Sequence, residues 1–412
     1  MEKVRAGVVG MGRGCGLAKW MAQRIPQYEV VAVCDRSPER LKSRAAEIEV
    51  PDLKLYTDHR KMLAEEQLDA VMVETDPCAI AEVACDALYS GRHVICDVPL
   101  SYRLHDCWDI VIAVERTGLK FQMGEQLRYA RFIHEWQQMN MEGRLGKILY
   151  AEGQYIHDIG NGRMFWDPVQ GRYYGVADAD GVPGLVQSDR RPMHALTYNP
   201  HELSPILKVL QDRVRTVSCM ATRRGGYTYQ VPDRSDLEVA LMRTEGDTII
   251  RIVNAFGCPD PGVRQHWYSF MGTKGQVELK RARWDRPKVW FKDENMADYV
   301  AVEDLGWSPA EVKEEAAGTG HGGLDFYPMY RFARAILEDT PTDMDVYLAA
   351  EACAPGIVAG ISAEYEGLPF AVPDFRPGPH RKAGEPPATY MARSLYGDIE
   401  REGATHHPRG NA

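Results

Sequence analysis

The sequence lacks the residue spacings that mark zinc sites and disulfide scaffolds. Its nine cysteines form an odd number and no C-x-x-C pair, and its 12 histidines show no H-x-x-x-H spacing. Cysteines and histidines at such spacings are the usual zinc ligands, and even-numbered cysteine sets are typical of disulfide frameworks. We therefore expect free, mostly buried thiols in a reducing compartment, and no metal.

Positive charge and long apolar runs are also scarce. The 412 residues include 49 Lys and Arg against 59 Asp and Glu, which gives a formal net charge of −10. This balance argues against nucleic acid and anionic membrane surfaces as partners, because both attract clustered basic residues. No apolar run approaches the roughly 18 residues of a membrane helix, and the N-terminus has no export-type segment. The sequence thus predicts a cytoplasmic protein without membrane or nucleic-acid partners.

Strands and helices alternate in the first 128 residues. Apolar segments predict strands, with helical segments between them: strands at 4–9, 28–35, 69–75, 93–98 and 120–125, and helices near 17–24, 39–48, 78–90 and 104–117. This alternation is typical of a doubly wound parallel sheet of the Rossmann type in an α/β protein. Residues 1–128 are therefore predicted to form a dinucleotide-binding domain.

The pattern changes after about residue 128. Further strands are predicted at 147–158, 214–223, 236–245, 247–256 and 265–279, with helices near 131–142, 200–211, 324–338 and 345–364. The turns "TEGD" and "GTKG" favour antiparallel pairing. We expect residues 129–372 to form an α+β domain, on a largely antiparallel open sheet, for substrate and oligomer contacts. Residues 373–412, rich in Pro, Gly and charge, are predicted to be an extended polar tail, either disordered or laid on another surface.

A glycine-rich turn follows the first predicted strand. Gly10 permits a tight turn, and Gly12 lets the backbone approach a pyrophosphate at a helix N-terminus. The third position of this fingerprint is Cys15, which follows Gly14. The alternative is a glycine-rich turn that binds nothing.

The second predicted strand ends at Asp35. Its carboxylate can accept hydrogen bonds from both ribose hydroxyls and would repel a 2′-phosphate, which favours NAD over NADP. Arg36 beside it keeps NADP as an alternative. The predicted cofactor contacts are Gly10, Gly12, Arg13, Gly14, Cys15, Asp35, Arg36, Asp97 and Pro99.

Several motifs occur in the order typical of one family. The segments "GVVGMG", "VVAVCDRSPER", "DAVMVET", "GRHVICDVPLS" and "HGGLDF" together resemble the Gfo/Idh/MocA oxidoreductases over roughly residues 4–372. Typical members carry Glu-Lys-Pro where this chain has Asp97, Val98 and Pro99, and that lysine assists proton transfer. A valine cannot move protons, so the resemblance implies that other residues of this chain do so.

The chain further resembles the NAD-dependent glycosidase branch of that family, glycoside hydrolase family 109, which has Glu-Val-Pro at this position. "QYIHD" (154–158) is similar to its Tyr-x-His-Asp strand, and "MGEQ" (123–126) places a glutamate where the branch has a functional one. "YNPHELSP" (198–205) is similar to its Tyr-Pro-Thr-His-Gly-Leu-Gly-Pro element, although Glu202 stands in place of a glycine. The catalytic residues implied by the resemblance are Tyr155, His157, Tyr198, His201 and Glu125.

The residues themselves leave functional and structural interpretations open. Tyr155 and His157 share one face of a strand, because side chains alternate with period 2. They could form a pocket wall or a solvated polar face. His201, in the first turn of a helix, could accept a proton or be a hydrogen-bonded core histidine. Glu202 is expected to be a helix-cap partner rather than a catalyst, and Glu125 could be a surface carboxylate.

The resemblance implies a redox-neutral glycoside hydrolase with NAD as the hydride acceptor and donor at sugar C3. Oxidation at C3 acidifies the C2 proton, the C1 group is eliminated, water adds at C1 and C3 is reduced again. His201 is predicted to act at the C3 hydroxyl, Tyr155 at the C2 proton, and Glu125 or His157 at the leaving group and water. An NAD-dependent sugar or cyclitol dehydrogenase with a rewired base, and a non-catalytic NAD-binding sensor, are the alternatives. The resemblance also implies a homo-oligomer.

Overall fold

The computed structural model describes residues 2–157, 165–167, 170, 172–187, 194–227, 234–258, 266–307, 309 and 311–387. Contacts group the chain into two compact units. Of the described residues, the first unit comprises those within 2–130, 307–351 and 374–387, and the second comprises those within 131–306 and 352–373. Both units are therefore discontinuous in the chain, unlike the contiguous segments 1–128 and 129–372 predicted from the sequence.

The first unit is built on a parallel sheet of six strands. They are β1 Val4–Val9, β2 Tyr28–Cys34, β3 Lys54–Tyr56, β4 Ala70–Val73, β5 His93–Cys96 and β6 Phe121–Met123. Their order, β3-β2-β1-β4-β5-β6, is that of a dinucleotide-binding Rossmann sheet, and ligands bind such sheets where the strand order reverses, between β1 and β4. All four residues of β4 are buried, as in parallel strands covered on both faces.

Helices connect these strands at positions that local signals mark. They are α1 Gly14–Arg24, α2 Pro38–Ala45, α3 His59–Glu65, α4 Pro77–Tyr89 and α5 Leu104–Thr117. The Ser37 hydroxyl accepts the backbone N–H of Arg40 and caps α2, whose first residue is Pro38. Gly118, with φ 66°, ends α5 in the left-handed conformation. Ser at a cap, Pro at the first position and Gly at the end are the usual helix boundaries.

The second unit is built on a large mixed sheet and a small antiparallel one. The strands are β7 Ile148–Ile156, β8 Phe165–Asp167, β9 Arg172–Tyr174, β10 Val186–Gln187, β11 Val214–Ala221, β12 Leu237–Thr244, β13 Ile249–Ala255, β14 His266–Gly272, β15 Gly275–Glu278, β16 Lys288–Phe291, β17 Val300–Ala301 and β18 Phe370–Ala371. Among the described residues, the large sheet has the order β17-β16-β15-β14-β7-β13-β12-β11-β18, and β8 lies between β10 and β9 in the small one.

Pairing in the large sheet is antiparallel except between β7 and β13. The predicted turns do connect antiparallel strands, β12 to β13 and β14 to β15. The predicted strand 265–279 is thus a hairpin. Helices of this unit are α6 Arg131–Met141, α7 Val176–Ala179 and α8 Pro200–Leu210, and α8 packs on β7 and β14. The predicted fold class is confirmed.

The chain returns to the first unit through α9 Lys313–Ala316 and α10 Phe326–Leu337. Phe326, Met329 and Phe332 of α10 are almost completely buried in the same apolar core as Val4 and Val8 of β1. Burial of that apolar face is why this segment belongs with the Rossmann sheet rather than with the segment that precedes it.

The described part of the predicted tail, up to residue 387, is an arm on the first unit. Phe375 is fully buried, with its ring centroid 4.4 Å from that of Trp108. The guanidinium of Arg381 lies 2.6 Å from the Glu115 carboxylate. Of the two predicted possibilities, an arm laid on a surface holds for this stretch, because an aromatic ring and a charge pair anchor it.

One helix corrects the expectation about apolar runs. α11, Val346–Glu364, is long and apolar enough to cross a membrane by length and composition alone. However, 83% of its most apolar window is buried inside the protein, as in the core helix of a globular fold. The nine cysteines are free thiols, and six of them are buried.

Candidate active site

The glycine-rich turn of the first unit lies directly against the end of β4. Gly10 has φ 99°, and a side chain there would place Cβ 2.3 Å from the Glu74 carbonyl oxygen. At Gly14, the first residue of α1, Cβ would be 2.9 Å from the Glu74 Cβ. Only glycine fits the left-handed, crowded position of Gly10. The turn therefore forms the backbone cradle that a pyrophosphate needs at a helix start. The observed cradle fits a dinucleotide.

Asp35 lies beside this turn, as the sequence predicted. Its side chain is buried, and its two oxygens accept the backbone N–H groups of Met11, at 2.8 Å, and Ser37, at 2.9 Å. Arg40 lies 3.6 Å from the same carboxylate. These contacts fix a negative charge at the end of β2, the position at which a Rossmann acid meets a ribose.

Three other predicted cofactor residues occupy different surroundings. Gly12 is half-buried in the turn. The Cys15 side chain is buried, with Sγ 3.3 Å from the Arg44 carbonyl oxygen, and burial raises the pKa of this thiol. Arg36 is exposed and lies 3.7 Å from the Asp76 carboxylate. The close packing of helix on strand that a third fingerprint glycine normally allows is provided here by Gly14.

Arg13 lies among carboxyl groups at the carboxyl edge of the sheet. Its guanidinium is 3.1 Å from Asp325 and 3.8 Å from both Glu74 and Asp97. The sequence predicted Arg13 and Asp97 here but missed Glu74. The signal for it was present, since an acidic residue directly follows the buried apolar strand β4.

Glu74 is a buried carboxyl group beside a second one. Burial raises its pKa well above the ordinary range, the neighbouring Asp97 charge raises it further, and Arg13 opposes both. The two carboxyl groups share a hydrogen bond, which requires a proton on one of them. Burial and the neighbouring carboxyl group both favour the protonated form of Glu74, because two like charges this close repel each other.

The "HGGLDF" segment supplies the remaining charge of this group. His321 Nδ1 lies 2.7 Å from Asp325 Oδ1, and the Asp325 side chain makes no cap bond at the start of α10. Burial alone would raise the pKa of Asp325, but His321 and Arg13 hold it below the ordinary range. Asp325 is thus an ionised anchor for Arg13 and not a helix cap.

Val98 is buried, 6% exposed, and is followed by Pro99 across a cis peptide bond. We expect Val98→Lys to lower the melting temperature and not to raise NADH production from free sugars, because a buried ammonium group loses its hydration. The matched control is Leu55→Lys, on β3 of the same unit, where the native leucine is 48% exposed. This variant should keep the melting temperature of the wild type, because its ammonium group stays hydrated. A large gain in NADH production by Val98→Lys would contradict this interpretation of the valine.

The structure brings four of the five predicted catalytic residues together in the second unit. The Tyr155 ring centroid lies 5.6 Å from both His157 and His201. His201 lies 6.3 Å from Tyr198, and Phe256 packs edge-on against both tyrosines. Tyr155 is in β7 and His157 directly follows that strand, whereas His201 is in the first turn of α8. The rings are half-buried, so the solvated polar face considered above is not what forms here.

One residue of this ring cluster, His266, was missed, and its partner Glu202 was misinterpreted. His266 of β14 is the cross-strand partner of Tyr155, and their rings stack with centroids 4.4 Å apart. Its Nδ1 lies 2.6 Å from the fully buried Glu202 carboxylate. The prediction that Glu202 is a cap partner is wrong, because its side chain is directed to a histidine 64 positions away along the chain. Asn199 precedes α8 but makes no side-chain cap bond either.

A charged network surrounds His194, four residues before Tyr198 in the chain. His194 lies 2.9 Å from Glu238 and 3.1 Å from Glu364, and Glu238 also accepts the backbone N–H of Leu196. Burial alone would lower the pKa of His194, but the two carboxylates raise it to about 9. For Glu364 the effects are opposite: burial alone would raise the pKa of this carboxyl group, but His194 and Arg224 lower it to about 2. The network fixes the start of the 3-10 helix that ends at Tyr198.

Glu125, the fifth predicted catalytic residue, belongs to the first unit. It follows β6, is fully buried and accepts the Leu127 backbone N–H at 2.7 Å. It is therefore not the surface carboxylate considered as an alternative. Asp158, next to His157, lies outside the described residues.

One side-chain group within the described ranges has the spacing of a metal site. His59, Glu82 and Asp86 place one ligand atom each within 4.8 Å of one another. The Arg60 guanidinium lies 2.7 Å from Glu82 and 2.9 Å from Asp86. A fixed cation thus already lies against both carboxylates, and the group is better explained as a surface ion-pair network.

Comparison with known families agrees with this geometry. Residues 4–125 match the Gfo/Idh/MocA model, described as an oxidoreductase family with an NAD-binding Rossmann fold. Residues 262–382 match the C-terminal domain of glycosyl hydrolase 109. The chain joins a Gfo/Idh/MocA NAD-binding domain to a glycoside hydrolase family 109 C-terminal domain. The family predicted from the sequence motifs is thus confirmed, and so is NAD as the cofactor.

Two proteins of similar sequence and one solved structure of similar fold extend this comparison to most of the chain. A glycosyl hydrolase family 109 protein of Porphyromonas gingivalis is 28% identical over 92% of this chain and 86% of its own length. An alpha-N-acetylgalactosaminidase of Tannerella forsythia is 26% identical over 91% and 86%. Scyllo-inositol dehydrogenase from Lactobacillus casei, solved with NAD(H) and scyllo-inositol, shares the fold with a TM-score of 0.67 and 17% identity, covering 90% of this chain and 99% of that one.

Proposed function

We propose that this protein is an NAD-dependent, redox-neutral glycoside hydrolase that acts on a terminal sugar. The observation that carries the proposal is the cluster of proton-transfer groups around Tyr155, in a chain that has a buried valine at the position of the family's usual lysine. Without that lysine, other side chains must carry the proton transfers that this glycosidase chemistry requires. Such enzymes are exceptions to the two-carboxylate scheme.

The first unit would hold the cofactor. Gly10 and Gly14 form the cradle for the pyrophosphate, and Asp35 provides the acid for the ribose. When bound, NAD supplies reversible hydride transfer at a carbinol carbon of the substrate. Arg13 is anchored by Asp325 at the same edge of the sheet, so it can orient a polar group there without leaving a buried charge unpaired.

The second unit would carry the proton transfers. In the proposed roles, His201 accepts the proton of the C3 hydroxyl and Tyr155 accepts the C2 proton. His157 or Glu125 would assist the leaving group and water. Each positioned acid or base typically contributes ~10²–10⁴-fold to a rate, so several such groups are needed for the whole cycle.

The family 109 relative named alpha-N-acetylgalactosaminidase guides the choice of substrate. We propose an N-acetylgalactosamine glycoside as the first substrate to test, within a panel of aryl glycosides of both anomers. Glu202 and Ser204 stand where the branch has glycines, so a different sugar of the same class is an expected outcome of the panel.

The test follows phenol release and NADH absorbance together, on the purified protein with NAD⁺. We expect phenol without net NADH, and intact NAD on denaturing the protein after turnover. Net NADH from free sugars or polyols would instead establish the dehydrogenase. If neither phenol nor NADH forms while the dinucleotide stays bound, the non-catalytic NAD-binding sensor is supported instead. A preference for NADP would overturn the cofactor assignment.

We also propose that the protein is a homo-oligomer that pairs through one face of the large sheet. Met220, Leu241 and Met271 lie on the face of the sheet opposite to Tyr155 and are 69%, 52% and 44% exposed. Exposed apolar side chains on one sheet face favour association. Light scattering should give a multiple of the 46.4 kDa chain mass, and Leu241→Arg should shift it to the monomer. A monomeric wild-type protein would contradict the proposal.

A further inference from the structure

Glu202 and His266 form a buried pair next to the ring that is proposed to remove the C2 proton. The Glu202 side chain is 0% exposed and that of His266 is 12% exposed. In the ionised form of the pair, His266 Nδ1 donates and Glu202 accepts across their 2.6 Å contact, because a carboxylate only accepts hydrogen bonds. The family 109 motif that this chain resembles has a glycine at the position of Glu202, so that motif does not include this carboxylate.

The local structure makes room for this carboxylate. A Cβ at Gly153 of β7 would lie 2.8 Å from the Glu202 Cβ, so only a glycine there lets α8 seat the side chain against the sheet. The Tyr268 hydroxyl, from β14, donates to the His201 carbonyl oxygen at 2.7 Å and ties the first turn of α8 to the same sheet. Glu202 is therefore held in place by packing from β7 and β14.

Two physical effects favour the ionised form of the pair. Glu202 is in the first turn of the 11-residue helix α8, where the helix dipole stabilises negative charge. A buried carboxylate also requires a compensating charge, and the imidazole in contact with it can supply one. The His266 ring is stacked on that of Tyr155, with centroids 4.4 Å apart and an interplanar angle of 21°, so an ionised pair would place an imidazolium against the phenol.

We propose that Glu202 is a positioning residue that keeps His266 positively charged against Tyr155, so that the phenol of Tyr155 loses its proton more readily and serves as the base for C2. This inference rests on the proposed function. A cation next to a phenolate stabilises the charged form. In the step itself, the C2–H bond breaks and an O–H bond forms on Tyr155. The electron pair of C2 forms the C1–C2 double bond while the C1 leaving group departs.

The other titratable groups that face Tyr155 among the described residues also bear on its charge. His157, just after β7, and His201 on α8 contact the Tyr155 ring. Behind them, Tyr198 contacts His201 and Glu202 contacts His266. The parallel neighbour on β13 is Asn254, which does not titrate. His266 has both the shortest ring distance to Tyr155 and the carboxylate contact, so we assign the tuning to this pair.

The test measures the ionisation of Tyr155 directly. Protein labelled with ¹³C at the tyrosine phenol carbon is titrated by NMR with NAD bound, and Tyr155→Phe identifies the resonance. We expect Tyr155 to titrate at least about one pH unit below the ordinary tyrosine value of about 10. Glu202→Gln and His266→Gln should each raise that midpoint by about one unit, a tenfold change in acid dissociation, while Glu202→Asp should largely restore it.

The matched control is Glu152→Gln, which removes a carboxylate from the opposite face of the same strand and should leave Tyr155 unchanged. In activity assays, the two disruptive variants should move the rise of kcat/KM with pH upward by the same amount. A Tyr155 midpoint near 10 in the wild-type protein overturns the inference, even if the variants do not fold. Equal midpoints in wild type and folded variants also overturn it.

The titration needs no substrate, which separates this inference from the proposed function. A lowered Tyr155 midpoint that responds to Glu202→Gln, in a protein that cleaves no glycoside, supports the charge assignment and rejects the hydrolase. Glycoside cleavage with an unresponsive Tyr155 supports the hydrolase and rejects the role of the pair.

Discussion

Replacing His201 by asparagine should lower turnover at least ~10²-fold while leaving the fold and NAD binding intact. His201 lies within the ring cluster, 5.6 Å from Tyr155 and 5.8 Å from His266 between centroids. Its backbone carbonyl, not its side chain, accepts the Tyr268 hydroxyl, so the first turn of α8 keeps its anchor in the variant. Asparagine has a similar volume but cannot act as a base, and the loss of a positioned base has about this cost.

Melting temperature and turnover must be measured on the same preparation of the His201→Asn variant. His134→Asn, on the exposed side of α6 in the same unit, is the matched control and should change neither. If His201 is a core histidine instead, the loss would appear as about 1–3 kcal/mol of stability with nearly normal turnover. That result would remove His201 from the site.

Raising the pH through about 9 should destabilise the protein through His194. Its pKa is raised by Glu238 and Glu364, against the effect of burial, from 6.5 to about 9 in the folded protein. The group therefore binds its proton more tightly when folded. Its stabilisation is complete below pH 6.5 and is lost as the pH rises through about 9. This difference corresponds to about 3 kcal/mol.

Glu238→Gln should remove most of this pH dependence and destabilise the protein by about 3–5 kcal/mol below pH 6.5, because it leaves a buried imidazolium with a weaker set of partners. Glu238 is fully buried. Denaturant unfolding on either side of the window, at pH 6 and at pH 10, measures both effects. Glu245→Gln, which breaks an exposed pair with Arg213 in the same unit, should cost at most about 1 kcal/mol. Equal pH dependence in wild type and Glu238→Gln would rule out His194 as the group responsible.

The site residues found from the sequence are those whose signal is local. Alternation with period 2 was enough to place Tyr155 and His157 on one strand face, and their rings do lie side by side. The position of Gly10 after a strand was enough to predict a tight turn, and its φ is 99°. An acidic residue that ends a strand predicted Asp35 at the same turn.

The residues that were missed or misread depend on partners far along the chain. Glu202 has the local pattern of a helix cap, and only its contact with His266, 64 positions away, shows otherwise. Asp325 likewise resembles a cap until Arg13 is seen beside it. A side chain near a helix start can satisfy its hydrogen bonds locally or across the fold, and local sequence does not distinguish the two.

The amino-acid sequence by itself predicted the Rossmann sheet and a largely antiparallel second sheet, because the periods of apolar residues set helix, strand and buried face. It did not predict the short elements β3 and α3 of the first unit, or short strands such as β16 and β17 of the second. Tertiary structure alone decided which charges meet. It placed α10 in the core of the first unit, surrounded Arg13 with Asp325, Glu74 and Asp97, and seated Glu202 beneath His266. The physical reason is that hydrogen bonds and ion pairs join single atoms a few ångströms apart, and the chain brings those atoms together only when its apolar faces have packed.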